Sequence, residues 1–317
     1  MDEFEIIRRF FTPKKTHKRV IVGVGDDGAI LRPKPGRDIV TAVDTLVAGV
    51  HFPRSMDPED IGFRAVAVSA SDIGAMGAQP RWMTAAVSVE QDSEGMLEGI
   101  ANGIRLAGDR YGIDLVGGDT THGCETVVSV QVTGEVKLGT AITRSGAQKG
   151  DSIYVSGYPG DASAGLAILE RSKLGGCVRD CDDYLIRRFV NPDARIRLGR
   201  SISGIASAAI DISDGLFADL AKLLDASGVG GIMDVDRVPL SPEILRKMDH
   251  SDALNFALTG GDDYELCFTS NDETVIKIGK QLGVPVTKIG KVTNGSGLTC
   301  CKDGEAFEFD HSGYVHF

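Results

Sequence analysis

Six short segments that read as acidic turns constrain this chain more than any other feature. They read Gly25-Asp26-Asp27, Val43-Asp44-Thr45, Ser71-Asp72-Ile73, Gly118-Asp119-Thr120, Asp211-Ile212-Ser213-Asp214-Gly215 and Gly261-Asp262-Asp263. Nearly all sit beside glycine or a small residue, at the end of an apolar run. Runs such as 20–24 and 39–43 have strand character, so the aspartates are expected at successive strand ends, converging on one site. A single such aspartate is more often a helix cap or a turn residue. Six of them, several glycine-flanked, point to a shared role. Clustered carboxylates stay ionised only beside cations, and hard oxygen ligands favour Mg²⁺ or Mn²⁺. The expected third party is a polyphosphate bridged by those metals, because bare aspartates would repel it.

The length of 317 residues suits one large or two medium domains. The composition is that of an ordinary globular protein, apart from 40 glycines, many of them in the acidic motifs. A net charge of −11 argues against a broad nucleic-acid surface. It leaves room for a nucleotide, since metals invert the local field. No apolar stretch is long enough to span a bilayer, and the acidic start Met1-Asp2-Glu3-Phe4-Glu5 lacks a signal peptide's basic region. The expectation is a cytoplasmic protein with no membrane partner. The six cysteines show no zinc spacing and are expected as reduced thiols.

Periodicity predicts a short amphipathic helix at 2–11 and strands near 20–24, 28–32 and 38–43. Pro58-Glu59 opens a long helix through Met76. A strand at 82–89, a helix at 94–110 and strands at 113–116 and 126–137 follow. The polar stretch 144–151 is a candidate hinge, dividing a domain at 1–148 from one at 149–317. Beyond it come a strand at 153–156, a helix at 161–171, a helix started by Pro192 and running through 195–207, a strand at 208–212 and a helix at 216–227. Strands at 231–235, 264–269 and 286–290 and a helix at 272–282 complete the pattern. Strands and helices are unevenly interleaved, so the fold class expected is α+β in two mixed domains rather than a doubly wound sheet.

Several chemistries are excluded. There is no P-loop, no protein-kinase motif set and no Gly-x-Ser-x-Gly elbow. The segment 23–28 resembles a dinucleotide fingerprint only superficially. Two aspartates would face the pyrophosphate, and Pro33 and Pro35 stand where a helix should run. The histidines show no metal-ligand spacing. A carboxylate pair for glycoside hydrolysis leaves the other motifs unexplained. Phosphoryl transfer by metal positioning fits, since it needs charge neutralisation and alignment more than a covalent nucleophile. Arg144 is a candidate phosphate fork or a surface hinge arginine.

The motifs at 23–29, 43–52, 67–78, 116–121, 142–147, 157–166, 210–216, 260–266 and 313–317, in this order, resemble the thiamine-monophosphate kinase family along essentially the whole chain. The resemblance implies the two-domain fold of aminoimidazole ribonucleotide synthetase, with a cleft between the domains and a homodimer built through the N-terminal ones. It implies direct transfer of the γ-phosphate of ATP to thiamine monophosphate, with several Mg²⁺ ions and no phosphoenzyme. By motif position, Asp27, Asp44, Asp72, Asp119, Asp211 and Asp214 correspond to metal ligands. Tyr111, Gly118, Asp119, Arg144 and Ser213 correspond to ATP contacts, and His51, Asp262 and Tyr314 to thiamine-phosphate contacts. Each has a plainer alternative: His51 can cap a turn, Tyr111 can be core, and Tyr314 can pack the tail. The chain departs from the family pattern at Ala42 and Val43, where hydroxyl residues are common, at Asp262, where Glu is common, and at Tyr314, where Trp is common. Superfamily enzymes making aminoimidazole ribonucleotide, formylglycinamidine ribonucleotide or selenophosphate are the nearest rivals. The last type wants an N-terminal Cys, and none precedes Cys124. A non-catalytic nucleotide- or thiamine-sensing module is the alternative of a different class.

Overall fold

The computed structural model describes residues 3–14, 18–90, 94–172 and 183–309. The described residues form two compact units, one of residues up to Ile73 with Ala78–Gly139, the other of Gly74–Gly77, Thr140–Ser172 and 183–309.

The first unit opens with α1 (Glu3–Ile6), which widens into a π-type turn over Ile7–Phe11, and a small ladder of β1 (Val20–Val22) with β2 (Ile30–Leu31). Its body is a four-stranded sheet of β3 (Arg37–Val47), β4 (Gln79–Val89), β5 (Asp114–His122) and β6 (Val127–Lys137), in the order β3-β6-β4-β5. Only β4 and β5 run parallel. Strict alternation builds this sheet. Val40, Leu46, Val128, Val130, Val132, Ala85 and Val87 are buried on one face, while Thr41, Val43 and Gln131 are exposed on the other. The helix α2 (Pro58–Ala75) donates a hydrogen bond from Ser69 Oγ to the carbonyl of Val130 at 2.8 Å. It meets α3 (Glu94–Tyr111) backbone to backbone: a Cβ on Gly62 would lie 2.0 Å from the carbonyl oxygen of Ile100.

The second unit is built on a seven-stranded sheet. Its elements are β7 (Ser152–Ser156), α4 (Asp161–Ser172), α5 (Tyr184–Val190), α6 (Ile196–Ile202), β8 (Ala208–Asp211), α7 (Leu216–Ser227), β9 (Gly230–Asp234), α8 (Pro242–Lys247), α9 (His250–Thr259), β10 (Leu266–Ser270), α10 (Thr274–Leu282), β11 (Val286–Thr293), β12 (Gly297–Lys302) and β13 (Glu305–Ala306). The strand order is β13-β12-β9-β11-β7-β10-β8. Both faces are covered. Ile153 and Val155 pack with Leu220 and Leu224 of α7, while Tyr154 and Phe268 pack with Leu198 and Ile202 of α6.

Three of the six acidic motifs are not turns. Asp44 lies inside β3, Asp119 inside β5 and Asp72 inside α2. In β3 the apolar alternation continues on both sides of Asp44, and its register with Gln131 and Val130 is unbroken, so one carboxylate does not end the strand. In β5, Gly118 lets the backbone pass Ala85 where a Cβ would lie 2.0 Å from its carbonyl oxygen. Pro192 does not start a helix; the next one begins at Ile196. The helices α5, α8 and α9 and the strands β12 and β13 were not expected.

Candidate functional site

In the first unit, Asp27 and Asp119 line one cavity of about 400 Å³, together with Gly118. Its apolar side is made by Ile7, Phe11, Val24 and Leu115. Thr120 also lines it and has a buried hydroxyl oxygen with no hydrogen-bond partner. A cavity with an acidic end and an apolar end suits a ligand with a metal-bound anion and a flat ring.

Asp44 pairs in register with Val130, which pairs with Ala85, which pairs with Gly118. One row of the sheet therefore joins Asp44 to the cavity. Three strand spacings separate its ends by roughly 14 Å, so Asp44 and Asp119 do not share one ion directly. Asp44 Oδ2 is buried without a hydrogen-bond partner. Burial pushes its carboxyl above the ordinary value, only partly offset by the nearby Ser69 hydroxyl, whose proton goes to the Val130 carbonyl. Asp72 follows Ser69 by one helical turn, on the same side of α2. His51 uses its ring to fold its own loop: Nδ1 accepts the Val47 N–H at 3.1 Å. Tyr111 ends α3 with its ring 6.2 Å from Phe63, and the Arg110 guanidinium lies 5.8 Å from each ring.

In the second unit, Asp211 is the buried last residue of β8, and Ser213 and Asp214 form the turn into α7. Gly215 caps that helix at φ 117° with no side-chain hydrogen bond. Asp219 supplies the missing acceptor from inside the helix. Its Oδ2 takes the backbone N–H groups of Ser213 and Asp214, both at 2.9 Å. Lys222 Nζ donates to Asp219 Oδ1 at 2.8 Å and to Asp214 Oδ2 at 2.5 Å. Across from this turn, Asp262 and Tyr264 adopt φ 68° and 53°, and the Tyr264 hydroxyl donates to Asp262 Oδ1 at 3.1 Å.

A buried ionic network lies behind the loop. Asp263 accepts the N–H groups of Gly160 and Ala162 at the start of α4, at 2.7 and 3.1 Å. Burial holds its carboxyl well above the ordinary range. Glu265 accepts from Arg188 at 2.8 Å, from Arg195 Nε at 2.6 Å and from Ser156 Oγ at 2.5 Å. Burial would raise its pKa, yet the Arg195 charge and hydrogen bond, with Arg188, bring it below the usual value. Arg144 is exposed, on a loop whose Thr143 carbonyl accepts the Ala209 N–H of β8 at 3.0 Å. Tyr314 lies outside the described residues.

The sequence reading missed Asp219, Lys222, the Glu265 network and the apolar cavity wall. Only the spacing of Asp219 from Asp214, one turn into a helix, carried a local signal.

Among the described residues, no three acidic, histidine or cysteine side chains stand close enough to form a ready-made metal cage. The donor set fits Mg²⁺ in another way, since that ion takes one or two carboxylates and fills its shell with water and phosphate oxygens. The partnerless buried oxygen of Asp44 and the ammonium drawn onto Asp214 are observations of this chain that fit a cation.

Comparison with known proteins agrees in both halves. Residues 25–136 match the family "AIR synthase related protein, N-terminal domain", and 148–300 match its C-terminal domain. The thiamine-monophosphate kinase of Salmonella typhimurium is 42% identical over 321 residues, covering 99% of this chain and 98% of the relative. That of Bacillus subtilis is 34% identical, with full coverage of both. The crystal structure of thiamine-monophosphate kinase from Stenotrophomonas maltophilia superposes with a TM-score of 0.87 at 38% identity, over 97% of this chain and 98% of that one. A structure described as AaThiL complexed with AMPPCP and TMP superposes with a TM-score of 0.78 at 31% identity, over 99% and 96% of the two chains. The hydrogenase maturation protein HypE of Escherichia coli, 19% identical with a TM-score of 0.75, shares the fold.

Proposed function

Because the chain belongs to the thiamine-monophosphate kinase family, we propose that it transfers the γ-phosphate of ATP to thiamine monophosphate, giving thiamine diphosphate and ADP. A terminal phosphate oxygen of the acceptor attacks the γ-phosphorus, and the bond to the bridging oxygen of ADP breaks as ADP takes the electron pair. The single observation that carries this reading is full-length similarity to kinases of this name, one described in complex with an ATP analogue and TMP.

Mg²⁺, when bound, neutralises the polyphosphate and aligns it for in-line transfer. We assign Asp27, Asp44, Asp72, Asp119, Asp211 and Asp214 as the carboxylates that hold such ions. Tyr111, Gly118, Asp119, Arg144 and Ser213 are the proposed nucleotide contacts, and the apolar wall at Ile7 and Phe11 suits a flat base beside them. His51, Asp262 and Tyr314 are the proposed acceptor contacts. The reading divides the chain into two halves, 1–148 and 149–317, each carrying some of these residues. The same reading makes the chain a cytoplasmic homodimer. The outward sheet face with exposed Ile39, Val43, Thr41 and Gln131 supports pairing with a second copy. No helix among the described residues is long and apolar enough to cross a membrane.

Incubation with Mg-ATP and thiamine monophosphate is expected to yield thiamine diphosphate and ADP in equal amounts. Binding of both ligands without turnover would establish the sensing module instead. With γ-labelled ATP and no acceptor, no label should remain on the denatured chain, since no nucleophile with an activating partner is needed. Tyr314→Ala is expected to raise the KM for the acceptor by up to roughly 30-fold and leave that for ATP nearly unchanged, through loss of a cation–π contact.

A further inference from the structure

The turn that carries Asp214 is held by two groups of unequal freedom. The Asp219 side chain is 1% exposed and accepts two backbone N–H groups from the turn, so it cannot leave without releasing them. The Lys222 side chain is 44% exposed, and its ammonium is shared between buried Asp219 and half-exposed Asp214. Lysine carries a point charge on a flexible four-carbon stem, so one of these contacts can be exchanged while the other is kept. Helix geometry makes the sharing possible: Lys222 follows Asp219 by three residues and lies on the same face of α7. The ammonium therefore occupies one of the two oxygens through which Asp214 could hold a divalent ion, and its charge lies beside the other.

We infer that Lys222 is a resident counter-cation of the Asp214 turn, which competes with the divalent ion for Asp214 and sets how tightly that ion is held. Asp219 is the positioning residue of the pair: it aims the turn and anchors the ammonium. The inference rests on the proposed assignment of Asp214 as a metal ligand. It deepens that assignment by giving the ligand a built-in competitor. Exchange of the ammonium for a divalent ion keeps the turn charge-compensated throughout, and binding at this corner is weakened to the extent of the Lys222–Asp214 contact.

The test is a Mn²⁺ titration of the full chain followed by electron paramagnetic resonance, with Asp214→Asn, Lys222→Met and Lys222→Arg beside the wild type. Asp214→Asn should abolish one class of bound Mn²⁺. Lys222→Met should tighten that class by about two- to fivefold, the range of a partly exposed ion pair. Lys222→Arg, which keeps the charge, should stay near the wild type. A purely structural lysine would give unchanged or weaker binding in Lys222→Met, and that result overturns the inference while leaving the metal assignment standing. Mn²⁺ binding unaffected by Asp214→Asn overturns the assignment itself and the inference with it. Circular dichroism and melting temperature of each variant establish that the titrated chain is folded.

Discussion

The backbone N–H of Asp262 donates to the carbonyl oxygen of Ser213 at 2.9 Å, which fastens the proposed acceptor loop to the proposed metal turn. Tyr264 repeats the contact one step on, donating to the Ile212 carbonyl at 2.9 Å. Between and beneath them the network of Asp263 and Glu265 ties the loop to α4, α5 and the segment before α6. Left-handed backbone at two non-glycine residues costs on the order of 1–3 kcal/mol each. It persists here because these contacts over-determine the loop. The proposed acceptor and metal positions thus stand on one rigid piece of chain, and an error at either position is transmitted to the other.

At Gly261 the two segments lie in close backbone contact. A Cβ there would lie 2.2 Å from the Ser213 carbonyl oxygen and 3.4 Å from Asp214 Cα. Gly261→Ala must push the loop and the turn apart, and a shift of about 1 Å is worth roughly 10²-fold in rate. Turnover measured well below the melting transition is expected to fall by that order, whereas a control that loses stability alone should not lose it. The control is Gly283→Ala, at the left-handed end of α10 (φ 71°) with open space around it. That variant should lose stability and retain activity. Equal turnover in the two variants would separate the loop from the chemistry.

Arg195→Met should unfold far more easily than its exposure suggests. It removes one of two cations from a fully buried Glu265, and breaking such a pair from one side costs about 3–5 kcal/mol. Urea denaturation at pH 7.5 measures it. The double variant Arg195→Met with Glu265→Gln should recover part of the loss, because the buried carboxylate is then gone.

The site was readable in part. The glycines and aspartates at 25–27 and 211–215 announce turns, and the chain turns or bends there, while 260–263 is irregular loop with a left-handed Asp262. Asp44 and Asp119 follow apolar runs and so look like strand ends in the sequence. Tertiary pairing carries β3 and β5 straight through them. Asp72 was covered by two competing readings, turn and helix, and the apolar and small residues of α2 decide for helix. The helix α9 had a usable signal in Asp249, which caps it by accepting the Asp252 N–H at 2.9 Å. Glu265 had none: its arginine partners stand 77 and 70 positions away, and nothing local in a sequence encodes that meeting.

Asp161 should make stability depend on pH in the direction opposite to the usual carboxylate. Burial pushes its carboxyl from 3.8 up to about 6, against the hydrogen bond from Ser241 Oγ. The folded chain therefore holds this proton more tightly than the unfolded chain. Its contribution to stability falls as pH rises from about 4 to about 6 and is level above. Asp161→Asn keeps an acceptor for Ser241 and carries no charge. It is expected to raise stability at pH 7.5 by on the order of 2 kcal/mol and to make little difference near pH 4. Urea midpoints at the two pH values decide; a destabilised variant at pH 7.5 would mean that the Arg188 charge already compensates the carboxylate.

Asp44→Asn should separate folding from function. The buried Oδ2 of Asp44 has no hydrogen-bond partner, and burial already disfavours its charge. An ionised carboxylate in that place destabilises the chain unless a cation shares the site. Its raised pKa means that the folded chain binds the proton more tightly, so the destabilisation grows as pH rises from about 4 and vanishes below it. A neutral amide of the same shape relieves it. The variant is expected to melt higher than the wild type in EDTA at pH 7.5 and to gain less from added Mg²⁺. Turnover should fall at least ~10²-fold, as for loss of one electrostatic stabiliser of the transition state. The three effects are expected together, since one carboxylate causes all of them: a burden to the fold alone, and an asset once a divalent ion and a polyphosphate share it. A lower melting temperature in EDTA would show that the protein itself satisfies Asp44, and would remove the physical ground for placing a metal beside it.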